Sequence, residues 1–210
     1  MKGILFNTVN VKAILDDRKF ETRRPIKPQP TRPYYCGIGH RWDDGHGYEI
    51  KPICLVGDIL YVQETWKVDS VSDHNKDMAI DFKALQSGYS QAEIVCKFTD
   101  DRYKKFRKFY QKNGWQSPYF LPKEAARIFL EVTDARVERL QDITVEGAIQ
   151  EGVTIPHADG INKGKERVGF QILWNSTIKK QDLAKYSWQA DPFIWVYEFK
   201  RINKSEVTDA

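Results

Sequence analysis

Between residues 17 and 24 the chain reads Asp-Arg-Lys-Phe-Glu-Thr-Arg-Arg, its densest run of polar chemistry. Lys19, Thr22 and Arg24 place an ammonium, a hydroxyl and a guanidinium within six residues. Those groups are the ingredients of an anion-binding or catalytic cluster, and Arg23 adds a second guanidinium. Arg24 can grip a phosphate or carboxylate through two parallel hydrogen bonds. Lys19 is a point charge whose pKa falls when it leaves water. Thr22 becomes a nucleophile only where a neighbouring base takes its proton. On spacing alone, an ordinary basic turn with exposed side chains is the simpler reading.

Glu64 adds weight to the chemical reading. It alternates with Leu60, Val62 and Trp66, so the four share one face of a strand. A carboxylate on a face that points into a core must be paired or carry a raised pKa. Lys19 or Arg24 would be natural partners for it. Lys19, Thr22 and Glu64 together would form a plausible acyl-transfer or amide-hydrolysis set, with a structural ion pair as the alternative. Arg127, at the mouth of a long strand, suits either a phosphate or a carboxylate such as Glu131. Trp66, Trp115, Tyr119 and Phe120 are candidates for stacking a base. Trp174, Trp195 and Phe199 read as core. Tyr103, Phe106 and Tyr110 read as a helix face docked on the body. Cys36, His40, His46 and Cys54 are spaced more loosely than the tight pairs of a structural zinc site, so no metal and no cofactor is expected.

Lys19-x-x-Thr22-x-Arg24 behind an amphipathic helix, followed by Gly57-Asp58-Ile59-Leu60-Tyr61-Val62-Gln63-Glu64-Thr65-Trp66, resembles the ASCH domain of the PUA-like superfamily. The segments Leu121–Ile128, Val137–Ile143 and Asp191–Val196 are similar to a phage- and prophage-encoded branch of it. The resemblance implies a compact β-barrel with a cleft for RNA, DNA or a modified nucleoside. One ASCH group, the small bacterial acetylcytidine amidohydrolases, uses a Lys–Thr–Glu catalytic set. Matched by motif, that set falls on Lys19, Thr22 and Glu64. Asp17 stands where the signature has glycine, and this chain is longer than those enzymes. Binding of nucleic acid or a modified nucleoside, with Arg23, Arg24, Trp66 and Arg127 as ligand contacts, is therefore the leading expectation. Hydrolysis of an acylated cytidine, or a non-enzymatic phage accessory role in protein contacts, are the alternatives.

The elements that must carry these residues are short. Strands are expected over Gly3–Asn7, Phe20–Ile26, Ile59–Trp66, Glu93–Thr99, Arg127–Leu140 and Phe193–Phe199. Helices are expected after Asn7 or Thr8, over 102–112, over 145–151 behind a Thr144 cap, and over 168–179 with Val168, Ile172 and Leu173 on its apolar face. Six strands without regular βαβ alternation predict an α+β fold, a small mixed barrel of PUA-like type with flanking helices. A single domain over 1–202 would carry insertions at about 27–56 and 67–126, ahead of a polar tail at 203–210.

Composition narrows the partners. The 210 residues are 41% hydrophobic and 13% aromatic, enough for a core and unlike a disordered chain. No apolar run approaches the roughly 20 residues of a membrane span. The N-terminal stretch turns acidic where a signal peptide stays apolar, and three cysteines do not make a disulfide framework, so a cytoplasmic protein with no membrane partner is expected. Residues 18–32 hold six cations against Glu21 alone, and residues 102–112 hold six cations and no anion. Two basic blocks on an otherwise acidic body point to a local anionic partner, with solvated charged faces as the plain alternative.

Overall fold

In chain order the elements are β1 (Lys2–Leu5), α1 (Thr8–Leu15), β2 (Glu21–Pro25), β3 (Arg32–Tyr35), β4 (His40–Asp43), β5 (Ile59–Gln63), β6 (Trp66–Ser72), β7 (Asp77–Phe82), β8 (Glu93–Lys97), α2 (Asp100–Gln111), β9 (Phe129–Arg139), α3 (Val145–Gln150), α4 (Glu166–Thr177), α5 (Leu183–Tyr186) and β10 (Phe193–Ile202). They belong to a computed structural model that describes residues 1–30, 32–35, 40–43, 46, 49–89, 93–155 and 165–207, with the backbone alone at 32–35 and 40–43. The fold is α+β. Strands lie at all six expected places, with Ile59–Trp66 divided between β5 and β6, and β3, β4 and β7 come in addition. The chain divides into two compact units: Met1–Asp17, Asp58–Glu131 and Lys200–Ala210 form the first, Arg18–Gly57 and Val132–Phe199 the second.

In the first unit β1 runs parallel to β5, and β5 pairs antiparallel with the start of β9. The expected strand Ile59–Trp66 is split after Gln63. Up to Val62 the backbone bonds to the β9 side, with Val62 N donating to Ile128 O; from Trp66 onward it pairs with β7. Glu64 sits at that change of partner. β6, β7 and β8 form an antiparallel sheet, and α2 lays Tyr103, Phe106 and Phe109 on it. Trp66, Met78, Ile80, Phe82 and Phe98 complete that core. The strand β7 lies inside the insertion expected at about 67–126, where Met78, Ile80 and Phe82 alternate cleanly and are buried.

In the second unit β10 pairs antiparallel with β2, and β9 lies on its other side. Leu140, Ile143, Ala148, Phe170, Trp174, Ile194 and Val196 form its core. The inward face of α4 differs from expectation. Phe170 and Trp174, four apart, turn in, while Val168 and Ile172 are 53% and 68% exposed. The two aromatic rings bury more apolar area than the two aliphatics would, and the indole N–H is satisfied by Tyr186 O at 2.8 Å.

Candidate functional site

The lysine of the motif is placed by the end of a helix. Asn7 caps α1 by accepting from Asn10 N at 2.8 Å. At its other end Asp17 takes φ 51°, with its N–H bonded to Ile14 O at 3.2 Å. This is the left-handed residue that commonly terminates a helix, and glycine occupies it at least cost. Asp17 thus takes a backbone conformation that glycine adopts at least cost. Two residues on, Lys19 makes an isolated antiparallel bridge with Glu151. Glu151 follows α3, which Thr144 caps by accepting from Gly147 N at 3.0 Å. Gly152, at φ 86°, ends the turn as expected. Phe20 N bonds to Gln150 O at 2.8 Å and locks the two segments side by side.

Lys19 is 2% exposed and Glu151 4%. The Lys19 ammonium donates to the Glu151 carboxylate, and also to the Glu151 carbonyl at 3.0 Å. Burial pushes the Lys19 pKa below its ordinary value, and Glu151 only partly restores it. The other Glu151 oxygen lies 3.4 Å from Arg23 Nη1. Arg23 also meets Glu21 at 2.7 Å and Glu138 at 3.7 Å, and rests 5.8 Å from the Phe170 ring centre. Its buried Nε has no hydrogen-bond partner among the described residues. A Cβ on Gly147 would stand 3.0 Å from Arg23 Nη2, so glycine there leaves the guanidinium room. Glu21 continues the network to Arg136 at 2.8 Å. Arg136 in turn holds Asp134, Glu138 and Glu198 at 2.5–2.7 Å. Burial works to raise the Glu21 pKa, but Arg136 and Arg23 outweigh it and hold the carboxyl below its usual range.

Strand alternation puts Thr22 and Arg24 on the opposite face of β2 from Glu21 and Arg23. Thr22 is paired with Tyr197 and Arg24 with Trp195 on β10. Thr22, Tyr197 and Trp195 are buried there. The end of the 27–56 insertion reaches this face, for Ile53 N donates to Tyr197 Oη at 2.9 Å. Burial lowers the Arg24 pKa, and Glu151, Tyr197 and Cys54 act electrostatically against that shift. Two cations, Lys19 and Arg23, thus meet on the carboxylate of Glu151, and Arg24 lies on the other face of the same strand.

Glu64 finds a different partner from the one expected. In the first unit its carboxylate, 1% exposed, is clamped by Arg127 through bonds of 2.9 and 2.8 Å. Arg127 also donates to Ala84 O at 2.6 Å and covers the Phe82 ring at 4.3 Å. Burial raises the Glu64 pKa, and Arg127 opposes the rise. Of the two roles open to Arg127, the carboxylate pair is the one the structure shows. The same side chain lines a groove of about 910 Å³ with Ile94, Lys97, Lys123 and Lys204. Trp66 is fully buried, its indole N–H bonded to Ser117 O at 3.3 Å, so its ring offers no face to a base. Tyr103 and Phe106 dock α2 as expected, but Phe109 rather than Tyr110 is their third member. Trp174, Trp195 and Phe199 are buried as expected, whereas Trp115, Tyr119 and Phe120 are exposed. Cys36 lies outside the described residues, as does the His40 side chain; His46 is exposed and Cys54 buried. Among the described residues no three potential metal ligands gather, and no helix is long and apolar enough to cross a membrane.

Sequence reasoning missed Glu151 and Arg136. Only the capped helix ending at Gly152 marked the place of the first, and nothing local marked the second. Compared with protein-family models, with curated proteins and with solved structures, the chain matches none.

Proposed function

We propose that this chain is an ASCH-like protein, with a PUA-like barrel, that binds nucleic acid or a modified nucleoside at the segment carrying Lys19, Thr22 and Arg24. The observation that carries the reading is the meeting of Lys19 and Arg23 on Glu151, with Arg24 next in the same strand. An arriving phosphate or an electron-rich base edge finds guanidinium and ammonium donors already desolvated, which strengthens each bond it forms. The left-handed Asp17 supports the same reading, because at the position of the signature glycine it takes a conformation that glycine adopts readily. The test is calorimetric titration with modified nucleosides and short oligonucleotides over a range of salt. Binding that weakens with salt and falls at least tenfold in Arg24→Ala is expected. No binding of either ligand class by folded protein overturns the reading.

Hydrolysis of an acylated cytidine is a second reading, favoured by one observation: the pKa-lowered Lys19 lies three residues from a buried hydroxyl. Lys19 would accept a proton from Thr22 or from a water that adds to the acyl carbon. The C–N bond would then break and the amine would leave with a proton; addition of water gives the carboxylate directly, whereas addition of Thr22 leaves a threonyl ester that a second water hydrolyses to the carboxylate. The resemblance gives the carboxyl role to Glu64, while the carboxylate that Lys19 holds is Glu151. Acetate release from acetylcytidine, lost in Lys19→Ala, is the expected result, and Glu64→Gln against Glu151→Gln shows which carboxyl serves. A flat assay with folded protein rejects this reading.

A further inference from the structure

The second basic block of the sequence is not absorbed by the Lys19 segment. It forms α2 in the first unit, and its six cations divide into two kinds. Arg102 is neutralised by Glu124, with bonds of 3.0 and 2.5 Å, and Arg107 by Asp73 at 2.8 and 2.9 Å. Lys104, Lys105, Lys108 and Lys112 are exposed and form no ion pair among the described residues. At 100° per residue those four lie within about a quarter of the helix circumference, so they make one stripe. The apolar side of α2 is spent on the core through Tyr103, Phe106 and Phe109.

Beside that stripe lie aromatic rings that the core does not use. Phe109 is the buried hub beneath them. Its ring centre lies 5.4 Å from Lys108 Nζ, 5.6 Å from Lys112 Nζ and 5.8 Å from the Phe120 ring. The two ammoniums and the Phe120 ring all lie within 6 Å of the Phe109 ring centre. Phe120 is 49% exposed, and Tyr119, 69% exposed, meets it edge to face at 5.4 Å. Trp115, 46% exposed, carries the Lys67 ammonium 5.7 Å from its ring centre. It precedes Gln116, whose N–H is fixed to Trp66 O at 2.6 Å, and Trp66 packs on Phe109 at 5.2 Å. The backbone beneath the exposed rings is thus anchored.

We infer that the α2 lysine stripe and the adjoining Tyr119, Phe120 and Trp115 form a binding surface for single-stranded nucleic acid. The lysines meet successive phosphates, and the exposed rings stack unpaired bases. Charge complementarity selects a polyanion. The half-exposed rings select one with π-faces to stack, which a duplex hides. An anionic membrane fits less well, because the apolar side of α2 is already buried. The surface is made of residues separate from the Lys19 segment, and the inference does not rest on that reading.

The experiment is fluorescence anisotropy with labelled oligothymidylate and oligouridylate about 15 nucleotides long. An abasic strand, a duplex of equal length and phosphatidylserine vesicles complete the set. Binding of the single strands is expected, with a salt slope that falls by about 1.4 in Lys108→Gln/Lys112→Gln, since each single-strand phosphate contact contributes about 0.7. Tyr119→Ala, at a side chain 69% exposed, is expected to weaken binding about 5- to 150-fold, and the abasic strand to show at least that loss. Preference for oligouridylate or oligothymidylate tells RNA from DNA. No single-strand binding, equal binding of the abasic strand, preference for duplex, or binding of vesicles in place of oligonucleotide each overturns the inference. Free-nucleoside titration reads the Lys19 segment separately, so failure here with nucleoside binding intact leaves that reading standing.

Discussion

The two units each bury a motif-bearing charge, and they do it differently. In the first, Glu64 and Arg127 meet one to one, two bonds from guanidinium to carboxylate, with Ala84 O taking a further N–H. In the second, Glu151 serves Lys19 and Arg23, while Glu21 ties Arg23 to Arg136. A closed bidentate pair leaves its carboxylate little capacity for another partner. A network in which one carboxylate serves several cations can pass a partner to an arriving anion without stranding a charge. The first arrangement suits a strut at the point where β5 gives way to β6, and the second suits a place where ligands exchange.

Breaking the strut gives the largest effect. Glu64→Gln leaves Arg127 facing a buried neutral amide and is expected to cost about 3–5 kcal/mol in urea unfolding. The double variant Glu64→Leu/Arg127→Met is expected to recover most of it, because it removes both desolvated charges together. A loss below about 1 kcal/mol for Glu64→Gln contradicts the strut. The pH dependence has a definite sign. Burial raises the Glu64 pKa, so above 4.5 the folded state keeps a proton that the unfolded chain has released. The Glu64 contribution then declines as pH climbs through the raised pKa, and the Gln variant lacks that decline.

The network tolerates damage better. Lys19→Met leaves Glu151 with Arg23 at 3.4 Å, and is expected to cost about 1–3 kcal/mol, less than Glu64→Gln. Glu151→Gln is expected to cost more than Lys19→Met, since it takes one partner from two cations. Equal losses for the two would mean that Lys19 and Glu151 form a closed pair after all. Burial lowers the Lys19 pKa, so between that value and 10.5 the unfolded chain holds a proton that the folded chain has lost. Stability from this group therefore rises with pH across that window, opposite in sign to Glu64, and Lys19→Met abolishes the rise.

Much of this was legible in the sequence where the signal was periodic. The alternation Leu60, Val62, Glu64, Trp66 correctly put a carboxylate on a buried face, and all four are at most 1% exposed. Alternation names a face and not a partner, so Arg127, sixty-three residues away, was left with two roles open. Glu151 was illegible because its importance comes from a single bridge to Lys19, a contact across 132 residues. The inward face of α4 was misread because Val168 and Ile172 satisfy the helical period as well as Phe170 and Trp174 do. Period alone does not weigh ring area against aliphatic area.

The smallest effect concerns how Lys19 is delivered to its network. Asp17 holds φ 51° at the end of α1, a conformation that costs a residue bearing a Cβ about 1–2 kcal/mol and costs glycine almost nothing. Aspartate is among the residues that tolerate it best, through local hydrogen bonding of its short side chain. Here the carboxylate also reaches Arg201 at 3.2 Å, an exposed pair worth about 0–1 kcal/mol. Asp17→Gly relieves the backbone and loses that pair, so its stability is expected to stay within about 0.5 kcal/mol of the parent. Asp17→Ala is expected to lose about 1 kcal/mol and Asp17→Val more, because β-branching is least tolerated at positive φ. The order Gly, Ala, Val in urea midpoint at constant slope is the measurement. An Ala variant as stable as the Gly variant would show that the left-handed turn is not what presents Lys19 to Glu151. The network, unlike the strut of Glu64 and Arg127, would then owe nothing to the backbone leading into it.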